Sequence, residues 1–463
     1  MIEMQKTISN SVKFSGVGIH TGVLSNMTLK PSKEDTGIKF IRTDLNKKPI
    51  INADIDYIFK TKRSTSLKKG EAEIQTVEHI LAAITGSGID NIIIEIDNIE
   101  VPILDGSSKD FTNKIKEIGV KEQKSYKKYF TLKKNITFTN PETGAEFIAS
   151  PSDHYEIETR IDYNSKVLGI QSAYLDDITN FHKEIASSRT FCFLHELEEM
   201  LENDLIKGGD INNAIIIVEN KIPKEKLLKL KKIFNNPNIK VDNRGYLNNL
   251  KLRHENEAAR HKLLDIIGDL SLVGMPLKAK ITASKPGHKD NTKFAKKLKE
   301  AMNEQLKRVA PEINFNNQPL YNKEKIKSIL PHRDPFLFID EIREIGEDYI
   351  IGVKFVKESE DYFKGHFPAE PVMPGVLQLE TMAQTGGVLI LETVENPQDY
   401  LTFFMKIDKA KFKQKVVPGD TIIFRLNLIS PIRRGLCHMH GVGFVNGKIV
   451  VEADLLAQIS PKK

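Results

Sequence analysis

The apolar positions of this chain recur at two periods, and the change from one to the other marks its elements. Residues 77–98, VEHILAAITGSGIDNIIIEIDN, read as an apolar helix, a glycine turn and an isoleucine-rich strand. Residues 194–220, LHELEEMLENDLIKGGDINNAIIIVEN, repeat that order with a glycine pair at the turn. Two such units predict a duplicated α/β half, with the seam near Lys121–Lys128. RHKLLDIIGDL, Arg260 to Leu270, predicts a further helix, and Lys296 to Ala310 a charged amphipathic one. The polar stretch Pro311 to Asn322, with two prolines and several asparagines, reads as a linker. Beyond it the pattern changes to short β-rich segments around one apolar helix, VLQLETMAQTGGVLIL, opened by Pro374-Gly375.

The chain is 463 residues long, which predicts two to four domains. Its 40% hydrophobic and 28% charged residues are those of a soluble globular protein. No apolar run approaches the roughly 20 residues that span a bilayer, so no transmembrane segment is expected. The opening MIEMQKTISNSVKF lacks the apolar core of a secretion signal. Cys192 and Cys437 stand far apart, in neither metal nor redox spacing. A cytoplasmic enzyme is the simplest expectation. The net charge of +6 suits anionic substrates or an acidic partner without requiring either. There is no dense basic run with interleaved aromatics, so nucleic acid is not an expected partner.

The candidate chemistry of the front part lies in three short stretches. On the helix Arg260–Leu270, His261, Asp265 and Asp269 fall at i, i+4 and i+8 opposite the leucines and isoleucines. An imidazole and a carboxylate one turn apart can converge on a metal ion; a solvated helix face gives the same pattern. Glu78-His79, in TVEHILAAI, joins a ligand to a base, or is an exposed helix start. His288, in the Gly/Pro loop TASKPGHKDN, is a proton donor or a surface histidine. His195 and Glu199, in LHELEEMLE, also show His-x3-Glu spacing. Five acidic residues crowd that segment, which reads as a solvated face.

Together TVEHILAAI, SSRTFCF, RHKLLDIIGDL and KPGHKDN resemble, in order and spacing, the zinc-dependent UDP-3-O-acyl-N-acetylglucosamine deacetylases of lipid A synthesis. GVGIHTG and VPILDGSS extend the resemblance over about residues 1–305. It implies a Zn2+ held by His79, His261 and Asp265, with a position left open for water. It also implies Glu78 as base toward that water, and a protonated His288 as oxyanion stabiliser and acid, kept charged by Asp269. It implies further that the Thr190 hydroxyl adds a hydrogen bond to the oxyanion. Lys262 and Phe191 are expected substrate contacts. Phe191 and Phe193 alternate on a strand and share a face, beside the substrate or in the core.

In the rear part, KGHFPAEPVMPGVLQLE places His366 on a breaker-rich loop and Glu380 inside an apolar helix. A helix start leaves unpaired N–H groups that can hold a carbonyl gaining negative charge, and glycine at 375 admits close approach. Glu380, among Leu377, Leu379, Met382 and Ala383, is expected to be partly desolvated with a raised pKa. A buried structural glutamate and a satisfied loop histidine are the alternative. ILPHRDPFLFID and YFKGHFPAEPVMPGVLQLETMAQTGG resemble the 3-hydroxyacyl-acyl-carrier-protein dehydratases of the hot-dog fold, over about residues 318–463. The resemblance implies His366 as base at C2, Glu380 as acid toward the departing hydroxyl, and the Gly375 N–H on the thioester oxygen. It also implies a site shared between two subunits, hence at least a dimer, with a trimer of dimers compatible. Asp334 stands where such proteins often carry tyrosine and receives no role. Lys409, Lys411, Lys413 and Lys415 alternate, as a docking face for acyl carrier protein or as a lysine-protected edge.

The expected architecture is therefore α+β. It comprises a duplicated two-layer α/β sandwich with halves at 1–124 and 125–305, a linker at 306–320 and a hot-dog domain at 321–463. The expected function is bifunctional: zinc-dependent deacetylation of a UDP-sugar lipid, and dehydration of a (3R)-hydroxyacyl chain carried by acyl carrier protein. A hot-dog thioesterase, or a rear half that only drives oligomerisation, remains the alternative.

Overall fold

The computed structural model describes residues 3–197, 207–209, 213–234, 236–247 and 251–462. They form two compact units, Met1–Ala301 and Met302–Lys463.

The first unit is built twice on one plan. Strands β1 (Val12–Val17), β2 (Leu24–Pro31), β3 (Ile38–Arg42), β4 (Ile50–Asn52) and β5 (Ile92–Ile96) form a sheet in the order β1-β2-β5-β3-β4. Helices α1 (Glu78–Gly86) and α2 (Lys109–Ile118) belong to this half. The second half contains β6 (Ile136–Asn140), β7 (Ala145–Pro151), β8 (Tyr155–Asp162) and β9 (Ile170–Leu175). There follow β10 (Phe191–Phe193), β11 (Ile215–Ile217), α3 (Lys224–Ile233), α4 (Glu257–Ser271), β12 (Leu277–Ser284) and α5 (His288–Leu306). Its main sheet runs β6-β7-β12-β8-β9. In both sheets the central strand, β5 or β12, is antiparallel to one neighbour and parallel to the other.

This topology corrects the expected echo. The counterpart of α1, the turn and β5 is α4, Gly274 and β12, not residues 194–220. The isoleucine-rich β11 pairs in parallel with β10 in a separate two-stranded sheet. Helix, glycine, strand is a local order that recurs widely; which sheet a strand joins is decided by distant partners.

α1 and α4 are buried around nearly their whole circumference, as helices packed on both sides must be. They cross at Gly268 of α4, where a Cβ would lie 2.1 Å from the Glu78 carbonyl oxygen. Only a glycine allows this approach, and it carries the polar stripe of α4 against the head of α1.

The second unit opens with α6 (Lys323–Ile329), β13 (Glu341–Ile345) and β14 (Tyr349–Phe355), followed by the long helix α7 (Gly375–Leu391). Strands β15 (Tyr400–Phe412), β16 (Thr421–Leu428), β17 (Leu436–Val445) and β18 (Lys448–Pro461) complete it. The sheet order is β13-β14-β16-β17-β18-β15, antiparallel throughout. Met382, Val388, Ile390 and Leu391 of α7 are buried against Phe424, Leu426, Met439 and Leu455 of the sheet. This is the expected hot-dog arrangement of one central helix under a curved antiparallel sheet. Among the described residues no helix is long and apolar enough to cross a membrane.

Candidate active sites

The close crossing of α1 and α4 brings His79, His261 and Asp265 into one buried cluster, their ligand atoms within 4.8 Å of one another. His79 Nε2 lies 3.8 Å and His261 Nε2 3.4 Å from Asp265 Oδ1. The His261 Nδ1–H donates to the Ser188 carbonyl at 3.1 Å, which leaves Nε2 bare. Burial, with the neighbouring His261, lowers the His79 pKa to about 3, so this imidazole is neutral. Burial also lowers that of His261. Burial opposes the Asp265 charge, but Lys262, 2.9 Å from Oδ2, with the charged His288 beyond it, outweighs burial and keeps the carboxylate ionised.

Asp265 Oδ1 is buried and accepts no hydrogen bond among the described residues. An ionised oxygen facing the bare Nε2 lone pair of His261, with the neutral His79 ring beside it, is repulsive unless a cation lies between them. The donor set thus fits a divalent metal of zinc type: two neutral nitrogens and one carboxylate.

Beside this cluster, Glu78 and His288 face each other across 3.8 Å, Oε1 to Nε2. The Thr65 N–H donates to Glu78 Oε2 at 3.0 Å. Burial, aided by the Asp269 and Asp265 charges and resisted by His288, raises the Glu78 pKa to about 8. His288 heads α5, and its Nδ1–H donates to Asp269 Oδ2 at 2.9 Å. Asp269 also accepts from the Thr65 hydroxyl and, at 2.8 Å, from the Asn291 amide. Burial works against a charge on His288, but Asp269, Asp265 and Glu78 outweigh it and raise its pKa to about 9. The site therefore holds one basin of negative charge and one cationic histidine.

Glu78, His79, His261, Asp265 and His288 line a cleft of about 210 Å³ with Thr190, Phe191, Lys262 and His20. Lys262 Nζ sits 5.7 Å from the Phe191 ring centre. Phe191 and Phe193 do share a face: both meet the Tyr163 ring, at 5.7 and 5.6 Å. Every residue named in advance for this site is in the cleft or bonded to a group that is. Sequence reasoning missed Thr65, Asn291, Tyr163 and Glu100. Fully buried Glu100 accepts from the Thr76 hydroxyl (2.8 Å) and from Thr21 N–H (2.8 Å) and Oγ1 (2.7 Å). It ties the His20 loop to the residues before α1. GVGIHTG was the available signal for this loop. Of the rejected pair, His195 stacks on Phe193 at 5.5 Å; Glu199 lies outside the described residues, as do Glu198, Glu202 and Asp204.

In the second unit α7 starts at Gly375, with Pro374 at its cap. A Cβ on Gly375 would lie 2.8 Å from the Phe412 ring, so this helix start is covered too closely for a larger residue. Glu380, whose side chain is 18% exposed, accepts from Gln384 Nε2 at 2.9 Å and lies 3.5 Å from His332 Nε2. It is thus held by polar partners rather than by apolar walls alone. His332 was not singled out, although it lies in the quoted ILPHRDPFLFID; burial lowers its pKa. Both groups sit in a narrow cavity of about 80 Å³ between α7 and the sheet, whose other walls include Ile390, Cys437, Met439 and Leu455. His366 does not line it. The His366 Nδ1–H donates to the Val372 carbonyl at 2.7 Å, leaving Nε2 as an acceptor. The structure thus joins Glu380 to His332 and Gln384, and sets His366 apart within one chain.

Each of the alternating lysines pairs with an acid, four lysines sharing three carboxylates. Lys409 pairs with Asp454 (2.9 Å), Lys411 and Lys413 with Glu452 (3.2 and 3.0 Å), and Lys415 with Glu370 (2.5 Å). The strand bulges between Asp408 and Lys411, so the strict alternation is also broken.

Comparison with known proteins matches the family model described as UDP-3-O-acyl N-acetylglycosamine deacetylase over residues 5–236 and 234–300. The FabA-like domain model matches residues 330–454. The chain is 44% identical over 460 residues to the bifunctional enzyme LpxC/FabZ of Bacteroides thetaiotaomicron, covering 99% of each chain. It is 43% identical over 462 residues to that of Porphyromonas gingivalis, covering 100% of each. The UDP-3-O-acyl-N-acetylglucosamine deacetylase of Syntrophus aciditrophicus is 37% identical over 298 residues, 64% of this chain and 86% of the other.

Proposed function

The chain belongs to the family of bifunctional LpxC/FabZ enzymes, and on that premise we propose how its two sites divide the work. The first deacetylates a UDP-3-O-(3-hydroxyacyl)-N-acetylglucosamine for lipid A synthesis. The second dehydrates a (3R)-hydroxyacyl-acyl-carrier-protein to the trans-2-enoyl thioester for fatty-acid synthesis. We take both reactions to run in the cytoplasm. The thioesterase alternative gains no support from the relatives' names.

In the first site His79, His261 and Asp265 hold a zinc ion; the observation that carries this is the buried, unbonded Asp265 Oδ1 between two neutral imidazoles. When bound, the zinc acidifies water and polarises the amide carbonyl. Glu78 takes the proton of the water that attacks the acetamide; its raised pKa would fall with a dication bound at the adjacent residues. His288, charged through Asp269, stabilises the oxyanion and then gives its proton to the departing amine. The Thr190 hydroxyl donates to the same oxyanion. Lys262 and Phe191 present a cation and an apolar face to the nucleotide-sugar and its chain.

In the second site His366 Nε2 removes the C2 proton and Glu380 protonates the hydroxyl that leaves as water. The N–H of Gly375 holds the thioester oxygen at the α7 start. The two catalytic groups come from different subunits. Two observations support this: His366 lies outside the Glu380 cavity, and edge strand β15 exposes Phe403, Phe404 and Met405. Such an apolar edge calls for a second copy. A trimer of such dimers is compatible with this pairing.

The test uses the full chain with His79→Ala or His366→Ala, each assayed for both reactions and for bound zinc. Each variant is expected to lose its own reaction only, and His79→Ala also its metal. A zinc-free wild-type protein that deacetylates at full rate in the presence of chelator would overturn the metal reading.

A further inference from the structure

We infer that the exposed face of α3 docks the protein on an anionic lipid surface. The charge of the chain is concentrated there. Residues 221–240, KIPKEKLLKLKKIFNNPNIK, hold seven lysines and one acidic residue, Glu225. Their net +6 equals the +6 of the whole chain, so the rest of the sequence is electrically balanced.

The helix segregates this charge. Leu227 and Leu230 turn inward and pack with Ile216, Val218 and Phe234. The opposite face carries Lys224, Lys229 and Lys232, exposed, with one carboxylate, Glu225, and with Leu228 among them at 64% exposure. Lys231 borders it. An exposed leucine set among lysines is what a bilayer interface accommodates: the ammonium groups meet the headgroup charge while the apolar side chain enters the acyl boundary. An acidic protein would satisfy the lysines and leave Leu228 without a matching apolar contact. Nucleic acid would do the same.

The position of α3 adds to the argument. Its inward face backs the wall of the deacetylase cleft, since Leu197, Ile216 and Phe234 belong to both the α3 core and the cleft lining. Docking through α3 therefore sets the apolar side of that cleft near the membrane surface.

The chain contains no tryptophan, so Leu228→Trp supplies a single reporter. Full-length Leu228→Trp protein is titrated with vesicles of phosphatidylcholine alone or with about one-third phosphatidylglycerol. The expected result is a blue shift and co-sedimentation with the anionic vesicles only, weakening as salt is raised. Replacing Lys224, Lys229, Lys231 and Lys232 together by Gln should reduce binding by at least about tenfold. The thermal midpoint and deacetylation of a water-soluble substrate should stay unchanged. Unshifted tryptophan emission, or vesicle binding indifferent to the four lysines, overturns the inference. Retention on poly-glutamate without binding to vesicles overturns it in favour of an acidic protein partner.

Discussion

Gly268→Ala adds one methyl group at the crossing of α1 and α4. In an exposed helix the same change would stabilise by about 1 kcal/mol, because alanine orders at lower entropic cost. Here the new Cβ would sit 2.1 Å from the Glu78 carbonyl oxygen, 2.8 Å from its carbon and 2.9 Å from its Cα. That is roughly 1 Å inside van der Waals contact, and the obstacle is backbone, which cannot rotate away. The helices must separate, at a cost of about 1–3 kcal/mol that reverses the sign of the propensity gain. His79 is the next residue of α1, so the separation moves one ligand away from the two on α4. Misplacing catalytic groups by about 1 Å costs on the order of a hundredfold in rate. The expected result is a lower thermal midpoint, weaker zinc retention against a competing chelator, and deacetylase kcat/KM reduced about a hundredfold. Dehydratase activity should be preserved as an internal control. A Gly268→Ala protein that keeps its zinc affinity and deacetylase rate refutes the reasoning, because the site would then not depend on the helix crossing.

The remaining predictions concern other groups. His288 has its pKa raised from the ordinary 6.5 to about 9, so its charged form, and the stability that charge contributes, is complete below 6.5 and lost as pH rises through about 9. Asp269→Asn should shift the alkaline limb of deacetylase kcat/KM at least about one pH unit downward; an unmoved limb would exclude His288 as the acid. Mixing unfolded His366→Ala and Glu380→Gln chains and refolding them together should restore about one quarter of wild-type dehydratase activity, through mixed dimers with one intact site. No recovery would place both groups in one subunit. Arg189→Leu should destabilise the first unit by about 3–5 kcal/mol in denaturant unfolding. Its guanidinium donates to fully buried Glu257 at 2.9 Å, and the variant leaves that carboxylate without its counter-ion.

Much of the chemistry could be read along the chain. His261, Asp265 and Asp269 recur at helical spacing, so a single helix already places them on one stripe. Glu78 and His79 are adjacent at a helix head, and Pro374-Gly375 announces the start of α7. Spacing within one element is a covalent property, and periodicity reports it directly. Tertiary structure decided what no local pattern carries. β12 finds its partners β7 and β8 more than a hundred positions away, while β11 pairs only with nearby β10, so the echo at 194–220 misled while α4, Gly274 and β12 held the true repeat. Thr65 and Glu100 matter only through partners brought from distant segments, and nothing in their neighbourhoods marks them. The lysines of the β15 region read along the chain as a docking face or a protected edge; the structure sets Glu452 and Asp454 of β18 opposite three of them. Gly268 reads in sequence as a weak point in a helix; only the crossing of α1 over its missing side chain shows why His79 can reach His261 and Asp265.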